Sequence, residues 1–390
     1  MFRWSKVRLP GARPRLRRLL VGAVAAVSLL VGPGAANAMA DDGALYTQTN
    51  DPAGNVVQKF DRARDGRLAA AGTFATGGVG LDGLGGRQGA IELSDDEDTL
   101  FATNAGSNTV SVFRVRDRDD DDDGRDRGNR RGGLELIGTF ASGGEAPLSV
   151  DEHDGGVYVL NSGGTPNVTA FSTARRGALR PIVGGTRELP GADGAAQVSV
   201  TPDGRRLVVS ERLSNRLETL ALDHAGRPGA PVITASSGTT PFGFAISRRG
   251  DVIVSEAGTN SVSSYRIDSA GGLGVITPAL GLNQGGLCWV AVSPDGRFAY
   301  TGNAGGSISG LAVDRDGSLS ALDADGVTAV PPQSPRDLDF TRNGRFVYAV
   351  SPGNATDGGS VTGYRVGKDG SLTEITSAPA AAGITGAAVE

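Results

Sequence analysis

Apolar and polar positions along this chain exchange every residue or two over short stretches, and almost nowhere at the spacing of a helix. Val110, Val112 and Val115 stand among polar residues, as do Val361, Tyr364 and Val366. Turn residues separate such stretches: Pro202-Asp203-Gly204, Pro294-Asp295-Gly296, Asn343-Gly344 and Asp369-Gly370. Asp-Gly and Asn-Gly supply the positive φ that two-residue hairpins need. Short strands punctuated this often predict an all-β protein.

The strands recur in a fixed order. A short apolar strand, a turn, a second alternating strand and a charged hairpin repeat along the chain, most clearly from Phe101-Ala102-Thr103-Asn104 to Val112-Phe113. Second strands fall at Tyr46, Phe101, Tyr158, Val208, Ile253, Tyr300 and Tyr348, spaced 45 to 57 residues apart. A period of roughly 40 to 50 residues made of short strands is the signature of propeller blades. The expected fold is a seven-bladed β-propeller with four-stranded antiparallel blades. Six blades would follow only if the irregular stretch from Val56 to Leu93 were miscounted. Residues 197–200, 242–246, 289–292 and 338–340 read as innermost strands. Residues 44–47 read as a second strand with no predecessor, and 383–390 as an innermost strand with no successor. The C-terminal strand is therefore expected to join the N-terminal blade and close the ring, which removes two open sheet edges. Residues 41–390 would then be one domain.

The first 38 residues read differently. Arg3, Lys6, Arg8, Arg13, Arg15, Arg17 and Arg18 precede an apolar run from Leu19 to Val31, and Ala36-Asn37-Ala38 offers small residues at a cleavage site. This is the pattern of a signal peptide, with cleavage expected after Ala38. Arg17-Arg18 leaves the choice between the general and twin-arginine routes open. Loss of those seven basic side chains leaves 31 against 43 acidic ones, a net of about −12. An acidic surface argues against nucleic acid, and no later segment is long and apolar enough to span a membrane. A monomer, secreted or retained in the cell envelope, is expected. The single cysteine, Cys288, excludes an internal disulfide and reads as core packing.

Residues 116–133 interrupt a hairpin with Asp119-Asp120-Asp121-Asp122-Asp123-Gly124 between arginine clusters. The opening resembles a calcium loop, but Arg130 stands where a bidentate Glu is required. A disordered, charged insertion on the face opposite the innermost-strand entrances is expected. No His/Cys cluster has zinc spacing, and no metal or cofactor is expected.

Two stretches carry a family resemblance. Residues 101–112 resemble the YVTN-type propeller repeat, and Ser293-Pro294-Asp295-Gly296-Arg297-Phe298-Ala299-Tyr300 with Asp314-Arg315-Asp316-Gly317-Ser318-Leu319 resembles the seven-bladed lactonase propellers. That group includes phosphogluconolactonase-like proteins and carboxymuconate cyclases, and the resemblance covers residues 41–390. In its enzymes, His and Arg at the innermost-strand entrances would meet over the channel. Here those places read Pro147-Leu148, Pro241-Phe242 and Pro335-Arg336-Asp337, without histidine. His153 and His224 fall in turns elsewhere.

Acid/base chemistry would have to come from carboxylates. Glu211 and Glu256 follow successive second strands, where other repeats place Asn50, Asn104, Asn161 and Asn303. They are candidate catalytic residues with Arg336, and Asp337, Arg87 and Glu145 are candidate ligand-binding residues at the same mouth. The plainer alternative is that Glu211 and Glu256 bond local backbone, as Asn does in the other repeats. Two functions follow. One is a binding module for a small molecule (a lactone or sugar acid) or for an envelope or extracellular protein. The other is a lactone-hydrolysing or lactone-forming enzyme in which Arg336 holds an oxygen and a carboxylate activates water.

Overall fold

The computed structural model describes residues 41–81, 88–116, 133–174, 177–191 and 193–390, and every helix or strand among them is a strand. The expected leader, Arg87 and residues 117–132 of the charged insertion lie outside the described residues. The described strands make seven four-stranded antiparallel sheets. Six blades are built from four consecutive strands, with innermost strands Ile91–Leu93, Glu145–His153, Ala195–Val200, Pro241–Ile246, Leu287–Val292 and Asp337–Phe340 for blades 2 to 7. In blade 1 the innermost strand is Thr385–Val389, paired with Asp41–Gln48 through Leu45↔Val389, Tyr46↔Ala388 and Gln48↔Thr385. The fold is thus a seven-bladed propeller closed by its C-terminal strand. Glu390 reinforces the closure: its N–H donates to the Ala44 carbonyl at 3.0 Å and its carboxylate accepts from the Tyr46 hydroxyl at 2.6 Å.

The chain folds this way because its turn chemistry repeats. In four blades the lower turn between first and second strands carries a hydroxyl that accepts from the backbone and donates to an Asp or Asn two residues on. The pairs are Ser94 with Asp96, Thr201 with Asp203, Ser293 with Asp295 and Thr341 with Asn343. The glycine that follows takes φ near +67°, as at Gly204 and Gly296, where a side chain is strained. In blade 2 the same place is held by Glu97 at φ 64°.

Apolar side chains of the second and third strands fill seven clusters between neighbouring blades. Leu45, Phe60, Phe346, Tyr348 and Val389 form the one beside the closing strand. Second-strand tyrosines reach one blade further, where Tyr300 donates to the Gly370 carbonyl and Tyr348 to the Gly66 carbonyl, each at 2.7 Å. These contacts tie blade 6 to blade 7 and blade 7 to blade 1. The innermost strands begin on the upper face, together with the second-to-third turns. The other hairpins, including the strand ends that flank the insertion, lie on the lower face, where Arg116 N–H meets the Gly133 carbonyl.

Removal of residues 383–390 would leave blade 1 with three strands and an open inner edge. The expected result is aggregation, or a melting temperature lower by on the order of 10 °C, seen by calorimetry and size-exclusion chromatography.

Candidate functional site at the channel mouth

Upper-face turns and strand entrances bring Arg336, Arg212, Phe242, Cys288 and Trp289 together. Arg336 directly precedes the innermost strand of blade 7 and is anchored by its N–H to the Val350 carbonyl at 2.8 Å. Its positive charge lies near enough to Cys288 to favour the thiolate, while the Cys288 thiol itself donates to the Gly286 carbonyl at 3.1 Å. Arg212 follows the second strand of blade 4. Its guanidinium lies 4.9 Å from the Phe242 ring centroid, and its Nε donates to the Gly194 carbonyl at 3.2 Å. Phe242 and Trp289 pack with centroids 4.5 Å apart and planes at 60°. Burial pushes the Cys288 thiol up, opposed by Arg336 and then Arg212. Partial burial also lowers Arg212 from its ordinary value, against the opposing charge of Asp193. Two guanidiniums beside an aromatic pair can hold a carboxylate or phosphate and cover an apolar ring face.

A glutamine underlies this mouth. Gln88, at the entrance of blade 2, reaches across to blade 6, where its amide donates to the Val290 carbonyl at 2.6 Å and accepts from the Val290 N–H at 3.2 Å. Gly243 permits that reach, since a Cβ there would lie 2.4 Å from Gln88 Oε1. Below lies a cavity of about 290 Å³ whose wall includes Glu92, Asp151, Asp337 and Asp339.

Three of these acids tether the neighbouring innermost strand. Asp337 accepts from the Ala387 N–H at 3.1 Å and Asp339 from the Val389 N–H at 2.9 Å. Asp151 accepts from Ser199 Oγ and the Val200 N–H, both at 2.6 Å. Burial raises all of them: Asp151 to about 6, Asp339 to about 7, and Asp337 and Glu92 well above the usual carboxylate range. At Glu92 the charges of Asp151, Asp339 and Asp337 add to burial.

The structure separates the residues that sequence reasoning grouped. Glu211 and Glu256 are both without exposed surface and occupy equivalent places in blades 4 and 5, opposite Arg216 and Ser261. Glu211 accepts from Arg216 Nε at 2.6 Å and Ser214 Oγ at 2.7 Å, and Arg216 also donates to the Pro190 carbonyl. Glu218, likewise unexposed, lies 2.8 Å from Arg216 Nη2 and is raised to about 7 by burial and then by Glu211. Glu256 accepts from Ser236 Oγ at 2.8 Å and the Tyr265 hydroxyl at 3.0 Å. Glu256 thus meets the connection that enters its own blade directly, as Asn161 does in blade 3 by donating to the Ser142 carbonyl, and Glu211 meets it through Arg216. Asp337 is 2 % exposed and turned toward the closing strand. Glu145 is exposed at the entrance of blade 3, and its carboxylate lies against Gly164. Only Arg336, of the proposed catalytic residues, stands beside Cys288 and Arg212. His153 and His224, the two histidines of the chain, both sit in lower-face turns.

Arg212, Gln88 and three of the four channel acids, Glu92, Asp151 and Asp339, went unread in the sequence, where Asp337 alone was a candidate. A signal for two of them existed: Asp151 and Asp339 interrupt the apolar innermost strands Val150-Asp151 and Leu338-Asp339-Phe340.

The ring and its closure by the C-terminal strand define a seven-bladed β-propeller. The chain belongs to the family described as "Lactonase, 7-bladed beta-propeller", whose profile matches residues 167–278 and 276–386. Solved structures agree in fold. A candidate 6-phosphogluconolactonase from Bacteroides uniformis aligns at TM-score 0.70 and 17% identity, over 90% of this chain and 100% of its own. A protein from Lactobacillus plantarum aligns at 0.66 and 18%, over 90% and 99%. The periplasmic gluconolactonase of Pseudomonas aeruginosa aligns at 0.65 and 18%, over 89% and 98%. No curated protein sequence matches the chain.

Two outcomes are expected. Arg216→Met leaves Glu211 and Glu218 buried without their cation and should cost about 3–5 kcal/mol in urea unfolding. Asp339 holds its proton to about 7 in the folded chain but only to about 4 when unfolded. The native state therefore binds a proton that the unfolded chain has released, and this contribution is greatest below the unfolded value and lost as pH rises through the folded one. Melting temperature should fall between those values, and Asp339→Asn should flatten the slope.

Proposed function

We propose that this chain is an exported propeller that binds an anionic small molecule, a sugar acid or its lactone, at the upper channel mouth. One observation carries the reading: Arg336 and Arg212 flank an aromatic pair there, while both histidines lie on the other face. Arg336 and Arg212 supply the charge for an anionic group, and the half-buried Phe242, backed by the buried Trp289, offers an apolar surface for the ring. Glu211 and Glu256 are buried and spent on hydrogen bonds to Arg216, Ser214, Ser236 and Tyr265, which favours binding over water activation. The gluconolactonase description of the Pseudomonas aeruginosa relative suggests the ligand class. Export rests on the basic, apolar and small-residue order of the first 38 residues.

Titration calorimetry with gluconate, 6-phosphogluconate and a panel of sugar and aryl lactones tests the reading, with proton release followed in parallel. Saturable binding without turnover is expected, weakened about 10- to 100-fold in Arg336→Ala and Arg212→Ala, as loss of a charge-assisted hydrogen bond implies. Absence of binding, or affinity untouched by both substitutions, would overturn the site. Turnover abolished by Glu211→Gln would establish the enzyme instead.

A further inference from the structure

The lower face carries a cluster that the mouth does not use. We propose that Asp95, His153 and Asp154 form a site for a divalent transition metal with mixed nitrogen and oxygen ligands. His153 Nδ1 lies 3.0 Å from Asp95 Oδ2, and its Nε2 lies 3.8 Å from Asp154 Oδ2. One ligand atom from each residue can be chosen so that all three lie within 4.8 Å of one another. With metal–ligand bonds of about 2.1 Å, two ligands at right angles on one ion stand about 3 Å apart, which is the spacing of His153 Nδ1 and Asp95 Oδ2.

The two turns that supply these groups belong to adjacent blades and are held together without the metal. Glu152, only 8% exposed, accepts from the Asp95 N–H at 2.8 Å and from the Gly155 N–H at 2.5 Å. The Asp154 N–H donates to Asp95 Oδ2 at 3.3 Å, and Arg342 is spent on the Asp95 carbonyl and on Glu97, not on the Asp95 carboxylate. His153 Nδ1 faces Asp95 and Nε2 faces Asp154, so the imidazole stands between the two carboxylates. Asp95 and Asp154 are exposed, so water reaches the remaining positions. One imidazole with two carboxylates suits Zn²⁺, Co²⁺, Ni²⁺ or Mn²⁺, whereas Ca²⁺ prefers oxygen alone and Cu⁺ prefers thiolate. The ion would clip blade 2 to blade 3 on the face away from the mouth.

The test uses the chain purified without a histidine tag and stripped with chelator. Co²⁺ is titrated while its visible absorption is followed, and Zn²⁺ is titrated calorimetrically. One saturable site per chain is expected, with Zn²⁺ displacing Co²⁺ and raising the melting temperature. Binding should vanish in His153→Ala, weaken by ~10-fold or more in Asp154→Asn, and persist in His224→Ala. Asp154 is an exposed turn residue, so its substitution tests the site without risk to the fold. No saturable binding by the parent chain, binding that survives His153→Ala, or binding lost in His224→Ala would overturn the proposal.

Discussion

Everything in this molecule depends on how seven sheets dispose of the inner edges they present to one channel. An innermost strand pairs on one side only, and the N–H groups on its other side must find partners or remain unsatisfied. Here side chains from neighbouring blades take them. Asp337 and Asp339 serve the strand of blade 1, Ser149 and Asp151 that of blade 4, and Gln197 that of blade 5. Gln88 serves blade 6 from the far side of the ring. The polar residues of the channel are in this sense part of the sheet hydrogen bonding.

That solution has an electrostatic cost. Carboxylates are good acceptors for N–H groups, but placing several around one narrow cavity raises them all through desolvation and mutual repulsion. The channel therefore holds protons that free carboxylates would release, and blade 4 shows the same behaviour in Glu218 beside Glu211. Strongly shifted acids in a cavity often mark catalysis. In this chain their hydrogen bonds account for Asp151, Asp337 and Asp339 as tethers, while the cationic, aromatic mouth lies above Gln88. The shifted acids and the cationic, aromatic mouth thus occupy different levels of the same axis.

The ring was legible in the sequence because its cause is local. Asp-Gly and Asn-Gly turns, alternating strands and an unpartnered final strand each mark a position along the chain, and their period gives the blade count. The site was less legible because it is built from residues brought together only by closure. Arg336 could be found from its place before an innermost strand. Arg212 was hidden behind Glu211, whose chemistry attracted attention although its side chain turns into the blade interface beside Arg216. Strand position states which face a turn lies on, but not whether the side chain leaves that turn outward or inward.

Tyr46 and Glu390, which meet through a hydrogen bond in the closing sheet, stand 344 residues apart in the chain. Contacts of such long separation form late and slow folding. Six blades are made of consecutive strands and can form in turn, yet the first blade must wait, incomplete, for the strand that follows the seventh. Until Thr385–Val389 reach it, a folding molecule is an open crescent with two exposed sheet edges. Its exposure to chaperones and proteases is set by the time to ring closure as well as by stability.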